Sequence, residues 1–125
     1  MKKVISTNKA PKAIGPYSQA IEANSTLYIS GQLGINPETG TLAEGIEKQT
    51  EYVLKNIGAI LKDAGYSYKN VVKCTVLLNN MNNFKVMNEV YGKFFNDHPP
   101  ARAAYEVVKL PLGGLVEIEA IAVKE

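Results

Sequence analysis

Residues 115–123 read LVEIEAIAV, and this stretch decides the fold because its side chains alternate as in a half-buried β-strand. One face is apolar throughout and suits a core covered by helices: Val116, Ile118, Ala120 and Ala122. The opposite face mixes two carboxylates with two large apolar side chains: Glu117, Glu119, Ile121 and Val123. The pattern therefore predicts a strand with a helix-covered face and a second face of unusual composition.

A second strand is predicted at residues 71–78, which read VVKCTVLL. We assign one face to the core: Val72, Cys74, Val76 and Leu78. The other face again mixes a charge with apolar groups: Val71, Lys73, Thr75 and Leu77. An exposed sheet face of this kind is unusual for a monomer, so we expect it to pack on further copies of the chain in a small closed ring. Lys73 is then expected to pair with Glu106 or Glu119 of another subunit.

Two amphipathic helices are predicted at residues 46–64 and 83–97. The first has apolar residues at the helical period and is followed by Gly65, where a C-cap glycine belongs. The second has a Met and Phe stripe, is preceded by an Asn pair expected to cap it, and is stopped by Pro99-Pro100. With further strands at residues 27–31 and 101–110, weaker ones at 4–6 and 17–22, and a turn at 36–40, the elements indicate an α+β fold. We expect one domain, residues 1–125, with a mixed sheet of about six strands and both helices on one face.

The composition excludes several classes of function. The net charge is +2, with 14 Lys and Arg against 12 Asp and Glu, and no basic stripe that would track a nucleic acid backbone. The single cysteine, Cys74, rules out an intrachain disulfide, and no signal peptide or membrane span is recognised, so a cytoplasmic location is expected. The only histidine, His98, has no ligand cluster around it in sequence and is assigned to the surface, so no metal site is predicted.

Arg102 is the only arginine, in the run PPARAAY of residues 99–105. A planar guanidinium binds a carboxylate or phosphate through two parallel hydrogen bonds, which a lysine cannot do. Arg102 is therefore a candidate anion clamp, and a structural ion pair is the alternative.

Four segments carry polar groups that the strand pattern does not require: AIGPYSQA at 13–20, SGQ at 30–32, PAR at 100–102 and VEIEAIAV at 116–123. In these motifs, which lie in register over essentially the whole chain, the sequence resembles the reactive-intermediate deaminase family (RidA, also called the YjgF type). The resemblance implies a fold similar to chorismate mutase of the bacillus type, and a homotrimer with clefts between subunits. It also implies hydrolysis of 2-imino acids and their enamine tautomers to 2-oxo acids and ammonia, without a metal or organic cofactor.

The resemblance also implies site residues. Arg102 is expected to hold the substrate's carboxylate and Glu117 to hold the attacking water, with Tyr17 and Ser30 near the imine nitrogen. Gly31 and the backbone of Ala104 are expected to contact the substrate's carboxylate end. Phe84 and Asn88 are expected to line the cleft from the second helix. For Tyr17 a plain packing role, and for Ser30 a bond to neighbouring backbone, are the alternatives.

Two points complicate this assignment. Family members often have cysteine where this chain has Ala104, so no thiol is expected in the cleft. If the last two strands formed a simple hairpin, Glu117 would lie about 20 Å from Arg102. We therefore expect either that another strand intervenes or that two chains share the site.

Two other functions remain open from the sequence. A non-catalytic trimer that binds a 2-oxo acid or similar carboxylate would need Arg102 but would gain nothing from Glu117 beside an anion. An endoribonuclease or translation inhibitor is the weaker alternative, because the chain has one arginine and no basic stripe.

Overall fold

The computed structural model describes all residues, Met1–Glu125, as eight strands, two α-helices and three short 3-10 turns. The strands are β1 (Lys3–Ile5), β2 (Ala20–Ala23), β3 (Thr26–Leu33), β4 (Ile35–Asn36), β5 (Thr41–Leu42), β6 (Val71–Leu78), β7 (Ala101–Glu106) and β8 (Val116–Val123). The helices are α1 (Gly45–Asp63) and α2 (Phe84–Phe94), and the 3-10 turns are Tyr68–Asn70, Met81–Asn83 and Pro111–Gly113.

Six strands form one sheet in the order β1-β2-β3-β8-β6-β7, in which β6 and β7 are parallel and the other pairs are antiparallel. The prediction of a mixed six-stranded sheet with two helices is confirmed. Strands β4 and β5 form a separate small hairpin around the predicted turn, where the Gly40 N–H donates to Asn36 O at 2.8 Å.

The core lies between the helices and one face of the sheet. Helix α1 packs on β3, β8 and α2, and the buried apolar residues of both helices and of the sheet form one cluster. Gly65 adopts φ +84° after α1, and the Tyr66 N–H donates to Leu61 O at 2.8 Å, as in a glycine-terminated helix. Neither helix combines the length and the apolarity needed to cross a bilayer.

The strand faces agree with the predicted pattern except at the start of β6. The pairing of β6 with β8 shifts between Val71 and Lys73, so Val71 is buried and Val72 is 48% exposed. The assignment of Val72 to the core was therefore wrong, because a bulge reverses the alternation there. Cys74 is fully buried, as predicted.

Other boundaries differ from the prediction. Helix α2 ends at Phe94, although Phe95 still packs in the core and so extends the apolar stripe past the helix. Strand β7 ends at Glu106, and Val108 beyond it is fully exposed. The predicted cap of α2 is also displaced, because Asn80 Oδ1 accepts from the Asn82 N–H at 2.8 Å while Asn83 makes no side-chain cap bond.

Candidate functional site

A cleft of about 610 Å³ opens beside the end of β3, and it brings together Tyr17, Ser30, Gly31 and Glu117. Four of the eight predicted site residues therefore lie in one cavity of a single chain. The wall is completed by residues from the N-terminal segment, β3, the β4 region, the Pro111 turn and β8: Pro11, Lys12, Ile14, Gln19, Gln32, Leu33, Ile35, Pro111, Leu112 and Glu119.

A β-bulge in β3 shapes this cleft. Ile29 pairs with Ala120 and Gln32 pairs with Ile118, so Ser30 and Gly31 together oppose the single residue between them on β8. The Ser30 N–H donates to Gln19 O at 3.0 Å, and the Gln32 side-chain amide donates to Ser30 O at 3.1 Å. The bulge is thus held from both sides.

Glu117 lies against the bulge. A Cβ atom on Gly31 would collide with Glu117 Oε2 and would come within 2.9 Å of its carboxyl carbon, so glycine is required for this side-chain position. Burial raises the pKa of Glu117 above its ordinary value, and the negative charge of Glu119 raises it further. A carboxyl group with a raised pKa is a better proton acceptor than an ordinary glutamate, and it can return the proton to a reacting group.

Ser30 and Tyr17 line the same cleft as Glu117 but differ in their hydrogen bonds and exposure. The Ser30 hydroxyl donates to Ser18 O at 2.6 Å, so its proton is already engaged and its oxygen is left to accept. Tyr17 lies in a tight turn, where its N–H donates to Gly15 O at 2.9 Å, and its side chain is 51% exposed. The predicted strand at residues 17–22 begins at Ala20, so the prediction that Tyr17 starts it was wrong.

Arg102 lies elsewhere. It sits on β7, opposite Cys74 of β6, and its Nη1 donates to Asn88 Oδ1 of α2 at 2.7 Å. Its guanidinium carbon lies 5.5 Å from the centre of the Phe84 ring and 4.9 Å from that of Tyr91. Phe84 and Asn88 therefore contact Arg102 and do not line the first cleft, and Tyr91 is a neighbour that the sequence analysis missed.

One chain does not bring Arg102 and Glu117 together. Strand β6 intervenes, with Cys74 level with Arg102 and Leu77 level with Glu117. Their backbones are therefore about 14 Å apart, closer than in a hairpin. Cys74 is buried under the helices, whereas Leu77 belongs to the opposite face. Because aligned side chains share a face, Arg102 and Glu117 lie on opposite sides of the sheet.

Ala104 is on the same edge strand as Arg102 and packs against the core. The nearest thiol, Cys74, lies on the neighbouring strand, and burial raises its pKa, with Tyr91 and Arg102 opposing that effect. It is thus a core residue with no opening to the cleft.

Glu106, Lys73 and His98 do not line this cleft. Glu106 accepts a hydrogen bond from the Met81 N–H at 2.8 Å, which gives it a structural role within the chain, while Lys73 and Glu119 line a second, smaller cleft on the open sheet face. His98 is exposed beside Asp97. No group of three His, Cys, Asp or Glu side chains is arranged to hold a metal ion.

The cleft contains two glutamines whose role the sequence analysis did not identify, Gln19 and Gln32. Gln19 is 4% exposed and hydrogen-bonds Thr7 and Pro11 through its side chain. The available signal was the pair of motifs AIGPYSQA and SGQ, which carry these glutamines among polar groups that the strand pattern does not require.

Comparison with known proteins gives consistent matches over the whole chain. The model of the family described as endoribonuclease L-PSP matches residues 7–124. The 2-iminobutanoate/2-iminopropanoate deaminase of Mus musculus is 55% identical over 125 residues, which cover 99% of this chain and 93% of the mouse protein.

Solved structures agree with this. RidA from the Antarctic bacterium Psychrobacter sp. is 49% identical, with a TM-score of 0.96 over 98% of this chain and 99% of that one. TdcF of E. coli, solved with bound serine, is 40% identical, with a TM-score of 0.94 over 98% of this chain and 99% of that one.

Proposed function

The chain belongs to the reactive-intermediate deaminase family (RidA, YjgF type), and we propose that it hydrolyses 2-imino acids and their enamine tautomers to 2-oxo acids and ammonia. Relatives 51–55% identical over almost their full length are deaminases of 2-iminobutanoate and 2-iminopropanoate. The function is thus that of an enzyme acting on a C=N bond.

The observation that carries this proposal is the position of Glu117. Its carboxyl group is half-buried, its pKa is raised, and it lies against Gly31 in the cleft that also holds Tyr17 and Ser30. A site that only bound carboxylates would be weakened by a carboxylate at its centre, whereas hydrolysis requires a base that holds water.

The reaction follows from these groups. Glu117 accepts a proton from a water molecule as the oxygen attacks the carbon of the protonated imine, and a tetrahedral carbinolamine forms. Glu117 then returns this proton to the nitrogen, and the C–N bond breaks as the hydroxyl gives its proton to Glu117. Ammonia and the 2-oxo acid leave, and Glu117 releases its proton to solvent. In this proposal Tyr17 donates to the nitrogen, and Ser30 Oγ, whose proton is hydrogen-bonded to Ser18 O, accepts a hydrogen bond from water.

Arg102 holds the substrate's carboxylate in this proposal. The backbone of Ala104 adds a donor: the Val107 N–H bonds Leu78 O of β6, and because peptide groups alternate along a strand, the Ala104 N–H points to the free edge of the sheet. TdcF of E. coli was solved with serine, a ligand that has the same α-carboxylate as a 2-imino acid.

The site is then shared between chains of a homotrimer. Arg102 and Ala104 on the edge strand of one subunit face Tyr17, Gly31 and Glu117 of its neighbour. Within one chain, Arg102 and Glu117 lie on opposite faces of the sheet, so one chain cannot bring them to the same substrate. This supports a site shared between two chains. The open sheet face supplies the apolar surface for assembly.

The test is release of ammonia and 2-oxo acid from an enzymatically generated 2-imino acid, with the wild type beside Arg102→Lys and Glu117→Gln. We expect the wild type to accelerate hydrolysis and Arg102→Lys to lose most of that activity while remaining folded, because lysine keeps the charge but not the fork. Glu117→Gln should bind 2-oxobutanoate at least as well as the wild type but turn over poorly. A wild type that binds 2-oxobutanoate without accelerating hydrolysis would identify a carboxylate-binding protein instead.

We do not propose RNA cleavage, although the family description names an endoribonuclease. The net charge is only +2 and Arg102 is the only arginine. RNA cleavage that persists in the double variant Arg102→Ala, Glu117→Ala would identify another surface as its source.

A further inference from the structure

Helix α2 presents three side chains to Arg102 from one face. Phe84, Asn88 and Tyr91 are four and three residues apart, which places them in a row along a helix. Asn88 Oδ1 accepts from Nη1 at 2.7 Å, and the two rings lie 4.9 and 5.5 Å from the guanidinium carbon. We call these three residues the cradle.

The cradle holds a cation without neutralising it. No carboxylate of the chain forms a salt bridge with Arg102, whose only side-chain hydrogen-bond partner is a neutral amide. Aromatic faces attract a guanidinium through their quadrupole and carry no net charge. The positive charge of Arg102 therefore remains available to bind an anionic ligand, whereas a carboxylate partner within the chain would neutralise it.

Tyr91 is the fixed member of the cradle. It is 5% exposed, its ring centre lies 4.9 Å from that of Phe95, and it belongs to the core cluster, whereas Phe84 is only partly buried. One hydrogen bond donated to Asn88 fixes a point on the guanidinium but not its plane. The buried ring of Tyr91, whose centre lies 4.9 Å from the guanidinium carbon, supplies a second constraint.

The hydroxyl of Tyr91 is not part of this function. It is buried beside the Cys74 thiol and makes no hydrogen bond to Arg102, whose side chain bonds only Asn88. The hydroxyl therefore contributes nothing to holding Arg102 that the ring does not already provide.

We propose that Tyr91 is a positioning residue for substrate binding: its ring sets the plane of the Arg102 guanidinium within an uncharged cradle, so that the fork faces the substrate's carboxylate. This inference rests on the role of Arg102 in the proposed function. It predicts that the ring, but not the hydroxyl, determines affinity for the carboxylate.

The experiment measures the Kd of 2-oxobutanoate by calorimetry, independently of turnover, together with KM and kcat for the imine. Tyr91→Met keeps much of the side-chain volume but removes the ring, and should raise Kd and KM about tenfold with a smaller effect on kcat. Tyr91→Phe should bind as the wild type does, because it keeps the ring and removes only the hydroxyl. Tyr66→Met is the matched control, because Tyr66 is equally buried and lies far from Arg102 beside Glu22 and Lys124.

Asn88→Asp tests whether the cradle must be uncharged. Because Asn88 is partly exposed, this substitution threatens folding less than Tyr91→Met does. A carboxylate there should pair with Arg102 and weaken 2-oxobutanoate binding. Unchanged binding in Tyr91→Met or in Asn88→Asp, or an equal loss in Tyr66→Met, would overturn the inference. The wild type could bind 2-oxobutanoate without hydrolysing imines, while the Kd values of the wild type and the variants follow the predicted order. That result would overturn the proposed reaction and support the role of the cradle in binding.

Discussion

Gly31 is the residue on which the position of Glu117 depends. The glutamate carboxyl occupies the space that a side chain at position 31 would need. The backbone of Gly31 is not in the left-handed region, so alanine can adopt its conformation without strain. The glycine is required by the site and not by the fold.

Gly31→Ala should therefore keep its thermal stability within a few degrees while hydrolysis falls about 100-fold, because the base is displaced by roughly 1 Å. Gly92→Ala is the matched control, since a Cβ there meets no atom within 4 Å. Imine hydrolysis by both variants checks this. Near-normal turnover in Gly31→Ala would mean that water is held elsewhere than at Glu117.

The raised pKa of Glu117 has a consequence for the pH profile. The base must be ionised to accept a proton, so activity is lost as pH falls through the pKa of Glu117, which lies above the ordinary value for a glutamate. Glu119→Gln removes a negative charge that raises this pKa. The acidic limb of kcat/KM should then move to lower pH, while Glu38→Gln in the distant β4–β5 turn leaves it in place. A limb that stays fixed in Glu119→Gln would assign it to another group.

At the residue scale, the sequence identified which residues form the site but not how they are arranged in space. Tyr17, Ser30, Gly31 and Glu117 were predicted from motifs, and the structure places them in one cleft. Tyr91 was missed because a tyrosine in an apolar helical stripe is indistinguishable from any core residue until its contact with Arg102 of β7 is known.

At the scale of elements, the segment before β2 forms one wall of the cleft. Gln19 ties it down: its Oε1 accepts from the Thr7 N–H at 2.7 Å, and its Nε2 donates to Thr7 O at 3.1 Å and to Pro11 O at 2.8 Å. Lys12 and Ile14 follow directly and line the cavity.

Gln19→Leu should lower the free energy of unfolding by about 1–3 kcal/mol, because it leaves buried backbone groups unpaired. It should also speed hydrogen exchange at the Thr7 amide. Gln49→Leu is the control: Gln49 is equally buried and bonds Ala43 and Leu115 on another part of the chain. Urea unfolding and amide exchange separate the two variants. Equal Thr7 exchange in both would show that Gln19 does not hold this segment.

The elements with a regular period were predicted well, and the irregular ones were not. Helix α1 was placed within one residue because its apolar period and Gly65 mark both ends. The end of α2 was missed because Phe95 remains in the core after leaving the helix. The bulges in β3 and β6 depend on pairing with β8, which is distant in sequence, so local alternation could not reveal them.

At the scale of the whole molecule, the open sheet face is the main unsatisfied surface. It exposes Val4, Tyr28 and Tyr105 by half or more, beside the charged Lys73 and Glu119. The mixture predicted for this face is present. Assembly into a closed trimer would cover it and would bring the edge strand of one subunit to the cleft of the next.

The complementation of two inactive chains is the measurement that tests this account most directly. Arg102→Ala and Glu117→Ala chains are co-expressed in equal amounts with different tags, the mixed oligomers are purified, and imine hydrolysis is measured beside each variant alone. If each site takes Arg102 from one chain and Glu117 from its neighbour, each mixed trimer keeps one of its three sites intact, so about a third of the sites are intact once the unmixed trimers are removed. We predict recovery of about that fraction of wild-type activity. Mixed oligomers as inactive as either variant alone would contradict the shared site.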